Sequence, residues 1–191
     1  MARSLPFKPR NAEATRAALL EAAQAVFSST SYAQAGIRQI AEKANTSSAM
    51  VVRYFGSKAG IFEAAMVAAV PTALALANDR GTFGAFMARA LLDPANEIKP
   101  PMMMALASGD PEASAIAERV MYEQGVVALA DWLGGERARE RAMAIAMTAT
   151  GFALYLRQFD WPRITQGERD VLERWFAGQV QALVDNHVGL A

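Results

Sequence analysis

Leu19, Leu20, Ala23, Val26 and Phe27 fall on one stripe at helical spacing. This predicts an amphipathic helix over residues 12–28, with Asn11 as its N-cap and Glu13 in the first turn. Ile37, Ile40, Ala41 and Ala44 repeat at i, i+3, i+4 and i+7, which marks a second, short helix over residues 36–44. Thr46, Ser47 and Ser48 offer capping hydroxyls for a third over residues 47–55, where Met50, Val51 and Phe55 supply apolar contacts. Gly56 and Ser57 break that helix, and Ser57 can cap a fourth through Ile61, Phe62, Ala65, Met66 and Ala69 to about Pro71. Further on, Gly81, Pro94, Pro100-Pro101, Gly109, Pro111, Gly134-Gly135 and Pro162 divide the chain into about five more helical segments. Period-2 alternation is nowhere sustained. The expected fold is all-α.

Two long segments, residues 137–157 and 167–187, contain prolines only outside their bounds. The first is apolar over most of its circumference between Ala142 and Leu156, and a helix of that kind must be buried between partners. The second carries Val171, Leu172, Trp175, Phe176, Val180 and Leu183 near a heptad-like stripe. Burial within one chain would account for such helices; the expectation taken is that the pair packs against its symmetry mate as a four-helix dimer interface through Met147, Phe152, Leu172, Trp175 and Phe176.

Composition narrows the chemistry. With 53% hydrophobic and 20% charged residues in 191, the chain has material for a packed core. Cysteine is absent and His187 is the only histidine, which removes thiolate metal sites, Cys nucleophiles and most His-dependent triads. No clustered carboxylates suggest another metal site, so the expectation is no metal, no cofactor and no enzyme. No apolar run approaches the ~18 residues that span a bilayer, and the N-terminus lacks the apolar stretch of a secretory signal, so a soluble cytoplasmic protein is expected. The overall charge of zero hides an asymmetry. Residues 1–60 carry eight Lys/Arg against three acids, and residues 61–191 carry 11 against 16. A basic N-terminal third on an acidic remainder suggests a polyanion-binding module joined to a non-binding body.

The second and third helices, separated by a tight turn at Asn45, make a helix-turn-helix. Asn tolerates the left-handed backbone such a turn requires. Small residues at the start of the third helix let its backbone come close to base edges and phosphates. Lys58, in the first turn of the fourth helix, opposes that helix's dipole, which a phosphate contact would explain.

Taken in order, Ala22-Ala23, Phe27, Ile40-Ala41, Ala44, Ser47, Tyr54-Phe55, Ser57-Lys58 and Ile61-Phe62 resemble the DNA-binding domain of TetR/AcrR-type transcriptional regulators over about 50 residues. The resemblance implies an N-terminal three-helix DNA-binding domain plus a C-terminal helical ligand-binding and dimerisation bundle. The corresponding division is a basic arm over residues 1–11, a helix-turn-helix domain over 12–56 and the body over 57–191. It further implies that Arg38 reaches DNA from the second helix. Ser47, Ser48, Ala49, Met50 and Arg53 would face the major groove, Tyr54 and Lys58 would hold phosphates, and Lys8 and Arg10 would form the arm. Val52 stands where the family often has a tyrosine, which removes one phosphate or base contact.

In the body, family members bind a small molecule. The chain has 10 methionines, and methionine suits a pocket for varied apolar ligands. Met66, Phe86, Met103, Met121, Tyr122 and Met147 are the candidate effector contacts. The function this implies is a homodimeric repressor on a palindromic operator in double-stranded DNA, released by a small, largely apolar effector. The fourth helix would act as the lever. The alternative is a family-like helical protein that has lost DNA binding and serves as a protein-interaction module.

Overall fold

The structure, a computed structural model, describes residues 9–70, 72–93, 95–157 and 164–186. Helices α1 (Pro9–Phe27), α2 (Ile37–Lys43), α3 (Ser48–Phe55) and α4 (Lys58–Ala69) come first. They are followed by α5 (Thr72–Leu76), α6 (Phe83–Leu92), α7 (Pro100–Ala107) and α8 (Pro111–Val120). After a π-helical segment (Met121–Val127) come α9 (Ala128–Leu133), α10 (Ala138–Arg157) and α11 (Gln166–Val184). Among the described residues there is no strand. Helix α1 starts at Pro9, so Asn11 lies inside it rather than capping it. Proline suits a first helical position, where its missing N–H has no intrahelical partner to lose. Arg10 is accordingly helical; Lys8 and the rest of the expected arm lie outside the described residues.

The chain divides into two compact units, Met1–Ala69 with Met102–Ala117, and Val70–Pro101 with Glu118–Ala191. The first unit is built on apolar contact between α1 and α4. Phe27 meets Phe62 edge-on at 4.9 Å, Tyr32 meets Phe62 at 5.2 Å, and the Gln24 amide donates to the Ala65 carbonyl at 3.1 Å. The expected division after residue 56 therefore falls inside this unit, because Ile61, Phe62, Ala65 and Met66 are fully buried there. Residues 102–117 join the same unit. The Tyr32 amide donates to the Leu106 carbonyl at 3.2 Å, and Met103 and Ala113 are fully buried.

The second unit centres on Phe83, Phe152, Phe176, Leu133, Ile145 and Val180. Helices α6 and α11 cross closely at Gly84: a Cβ there would lie 2.2 Å from the Ala177 carbonyl oxygen and 2.9 Å from the Gln181 nitrogen. The Gln181 side chain locks that crossing, accepting from the Gly84 amide at 3.0 Å and donating to the Arg80 carbonyl at 3.0 Å. A capping box starts α11, where Thr165 and Glu168 exchange hydrogen bonds. The Thr165 backbone and hydroxyl bonds hold the Glu168 carboxyl below the usual range.

Arg141 is the buried charged residue of this unit, 2% exposed. It donates from Nη1 to the Leu183 carbonyl at 3.1 Å and the Val184 carbonyl at 3.2 Å, from Nε to Glu136 at 3.2 Å, and from Nη2 to Gly134. Leu183 and Val184 end α11, and Gly134 caps α9. Carbonyls at helix C-termini lack intrahelical donors and carry the negative end of the dipole, so one guanidinium satisfies two helix ends.

Candidate nucleic-acid interface

Helices α2 and α3 are pinned by Ile40 and Val51, each at zero exposure. Between them Asn45 adopts φ 50, the left-handed turn expected from the sequence, and Thr46 donates to the Ala41 carbonyl at 2.9 Å. Gly36 and Ser47 occupy the N-cap positions of α2 and α3 in extended conformation, and neither supplies a side-chain cap bond. Ser57 does cap α4: its Oγ accepts from the Gly60 amide at 3.0 Å.

The residues expected to face DNA are presented unequally. Ser47, Ser48, Ala49 and Arg53 are exposed, while Met50 and Tyr54 are partly buried. Arg38 is exposed on α2 and pairs with Glu42 at 2.8 Å; that hydrogen bond, then the charge, raises its pKa further. Tyr54 lines a groove of about 440 Å³ with Arg16, Leu20, Phe55 and Val67, and its ring lies 6.2 Å from that of Phe55.

Lys58 has a specific seat. Its ammonium sits 4.2 Å from the Tyr32 ring centroid and 3.5 Å from the Ala33 carbonyl. The ring beneath it is fixed, since Tyr32 is buried and its hydroxyl donates to Glu112 at 3.2 Å. Burial first, and then the Glu112 charge and hydrogen bond, push the Tyr32 pKa up to about 12. A cation over an aromatic face gains electrostatic attraction while keeping other directions open to a ligand. Sequence reasoning placed Lys58 but missed Tyr32 and Glu112, because a partner 80 positions away leaves no local pattern.

The six candidate effector contacts are divided between the two units. Met66 and Met103 are fully buried in the first unit's core, where a larger side chain would overpack. Phe86 and Met121 are partly buried in the second unit, Tyr122 is exposed beneath Arg139, whose guanidinium lies 5.4 Å from its ring, and Met147 is 66% exposed. Arg119 and Glu123 form an exposed i,i+4 pair at 3.8 Å.

The expected dimer residues also split. Phe152 and Phe176 stack on each other at 4.2 Å inside the second unit, so they belong to the monomer's own core. That corrects the sequence expectation for both. Leu172 is partly buried against the same core. Met147 and Trp175 are exposed, and Met143, Tyr155 and Val171 share the exposed apolar surface of α10 and α11. Their spacing (143, 147, 155 on α10 and 171, 175 on α11) was the available signal.

No helix among the described residues is long and apolar enough to cross a membrane, and none of their acidic or histidine side chains cluster as a metal site. The arrangement is thus a helix-turn-helix joined to a helical bundle, the architecture of a DNA-binding regulator. Residues 81–184 match the tetracyclin repressor-like C-terminal domain, and residues 19–65 match the bacterial regulatory proteins of the tetR family. The chain belongs to the TetR family and is a DNA-binding transcriptional regulator, not an enzyme. No curated protein sequence matches it. Among solved structures it is similar to a TetR-family regulator from Streptomyces coelicolor, with 24% identity, TM-score 0.54, and 95% of this chain and 99% of that one covered. It is also similar to NalD of Pseudomonas aeruginosa, the secondary repressor of the MexAB-OprM multidrug efflux pump, with 16% identity, TM-score 0.62, and 88% and 95% covered.

Proposed function

We propose that the protein is a homodimeric repressor that holds a palindromic operator in double-stranded DNA and leaves it when a small, largely apolar effector binds the second unit. The observation that carries this reading is the exposure of α3: Ser47, Ser48 and Ala49 at its start and Arg53 in its last turn are exposed, following a left-handed turn at Asn45. In the proposed complex these residues and Met50 face base edges. Arg38, Tyr54 and Lys58 hold phosphates, with Lys58 leaving its seat on Tyr32 for a phosphate oxygen. Two copies associate through the exposed apolar face of α10 and α11, since an apolar patch of that kind marks an association surface. Phe86 and Met121 remain the proposed effector contacts.

The test is selection of duplexes from a random-sequence pool by the full-length protein, followed by titration of a recovered duplex at several salt concentrations. Two chains per duplex are expected. With roughly three to five phosphate contacts per chain, the slope of log K against log salt is expected at about −5 to −9. Failure to enrich any duplex, or one chain per site, would overturn the proposal.

A further inference from the structure

Val52 is the large apolar side chain that α3 leaves exposed. Its accessibility is 49%, whereas its neighbour Val51 is fully buried. At 100° per residue, Ser48, Ala49, Val52 and Arg53 lie within one arc of about 140°, with Val52 between Ser48 and Ala49. The face therefore carries a hydroxyl, a methyl, an isopropyl group and a guanidinium side by side. Among the described residues of the first unit, Val52 and Val67 are the large apolar side chains left exposed, and Val67 lies on α4 beside the groove under Tyr54.

A β-branched side chain at an exposed helix position is a poor choice for helix stability, and its burial is deferred until something covers it. An isopropyl group has no donor or acceptor, so it cannot hold a phosphate or a polar base edge. In the major groove the distinctive apolar feature is the C5 methyl group of thymine. The basic charge of the first 60 residues, eight Lys/Arg against three acids, makes a duplex the fitting occupant of this face.

On the DNA-binding reading proposed above, we infer that Val52 is a specificity-determining residue that packs on a thymine methyl in each half-site, flanked by Ala49. The residue that removes a polar contact from the family's usual position thereby adds an apolar one. Arg53, next along the same arc, has the reach and fork geometry for a neighbouring guanine. The operator is then fixed at one position by a methyl group rather than by hydrogen bonds.

The experiment replaces each thymine of a pool-selected duplex with deoxyuridine, symmetrically in both half-sites, and titrates the full-length protein against each duplex. Deoxyuridine keeps every hydrogen-bonding group and loses only the methyl. Loss of one buried methyl-sized contact is about three- to fivefold per half-site, so one symmetric position should weaken binding by about 10- to 25-fold. In Val52→Ala, which keeps a good helix former on the exposed face, the thymine-to-uracil ratio at that position should fall towards one. Helicity by circular dichroism and the salt slope should be unchanged. The inference is overturned if no thymine responds to loss of its methyl, or if the ratio at the sensitive position is the same in Val52→Ala as in the wild type. Either result, obtained on a duplex the protein binds tightly, leaves the repressor reading standing. A pool that yields no bound duplex removes both.

Discussion

Replacing Arg141 with methionine keeps the length and apolar stem of the side chain but removes all five N–H donors. Four backbone carbonyls lose their partner: Gly134, Glu136, Leu183 and Val184. The bonds to Leu183 and Val184 are wholly buried, and those two carbonyls have no donor within α11 to fall back on. An unsatisfied buried acceptor costs about 1–3 kcal/mol, which for two gives about 2–6 kcal/mol. Gly134 and Glu136 lie near the surface and regain water. The guanidinium's own desolvation cost is returned when it goes, which lowers the upper end and leaves about 2–4 kcal/mol. At roughly 2–4 °C per kcal/mol for a chain of this size, Tm should fall by about 4–16 °C. Differential scanning calorimetry with far-ultraviolet circular dichroism measures this. Arg141→Lys, which keeps the charge but lacks the planar fork, should fall between the two. A Tm for Arg141→Met within 1 °C of wild type, or above it, would refute the helix-end account. It would mean that burying the guanidinium costs as much as its four bonds return.

Trp175→Glu should stay folded by circular dichroism yet sediment as a monomer, because Trp175 is half exposed, whereas Phe176→Glu should be insoluble or unfolded, because Phe176 is fully buried against Phe152. A soluble, dimeric Trp175→Glu would sink the proposed association face. Gly84→Ala should lower Tm, against the usual gain for a helical glycine, since its Cβ would meet backbone atoms of α11 that cannot swing aside; an unchanged or higher Tm counts against the close crossing. For Tyr32, a folded-state pKa raised from 10.0 to about 12 means that its contribution is full below pH 10 and is lost as pH rises from 10 towards 12. The stability difference between wild type and Tyr32→Phe, read by urea unfolding, should therefore shrink from pH 9 to pH 11.5, and a pH-independent difference would contradict the assignment.

The helix-turn-helix was legible because its determinants are local. Ile40 and Ala41 set the face of α2, Asn45 sets the turn, and Ser57 sets the start of α4, each within a few residues of what it controls. Pro9 was an equally local signal for the start of α1, and the apolar stripe beginning at Leu19 obscured it. What could not be read depends on which of two apolar faces turns inward. Helix α11 has Phe176, Val180 and Leu183 on one side and Val171 and Trp175 on another. A heptad-like pattern does not say which side faces the chain's own core. Methionine misled for a related reason. Met66 and Met103 have the flexibility of pocket residues, but that same flexibility fills core gaps. Residues 102–117 joined the first unit through contacts across some 80 positions, such as Tyr32 with Glu112, and no periodicity encodes those.

That late contribution has a consequence for synthesis. A ribosome adds about 5–20 residues per second, so the stretch from Ala69 to Ala117 takes roughly 2–10 s to make. During that interval α1–α4 have all been translated, but the Tyr32 amide and hydroxyl still lack the Leu106 carbonyl and the Glu112 carboxylate that receive them. The unit that holds the helix-turn-helix is therefore completed only after residues 70–101 of the second unit have also been made. The same discontinuity governs chimeras. A crossover placed at Ala69 separates Tyr32 from both of its partners, so a graft of this module onto another body must carry residues 102–117 with it.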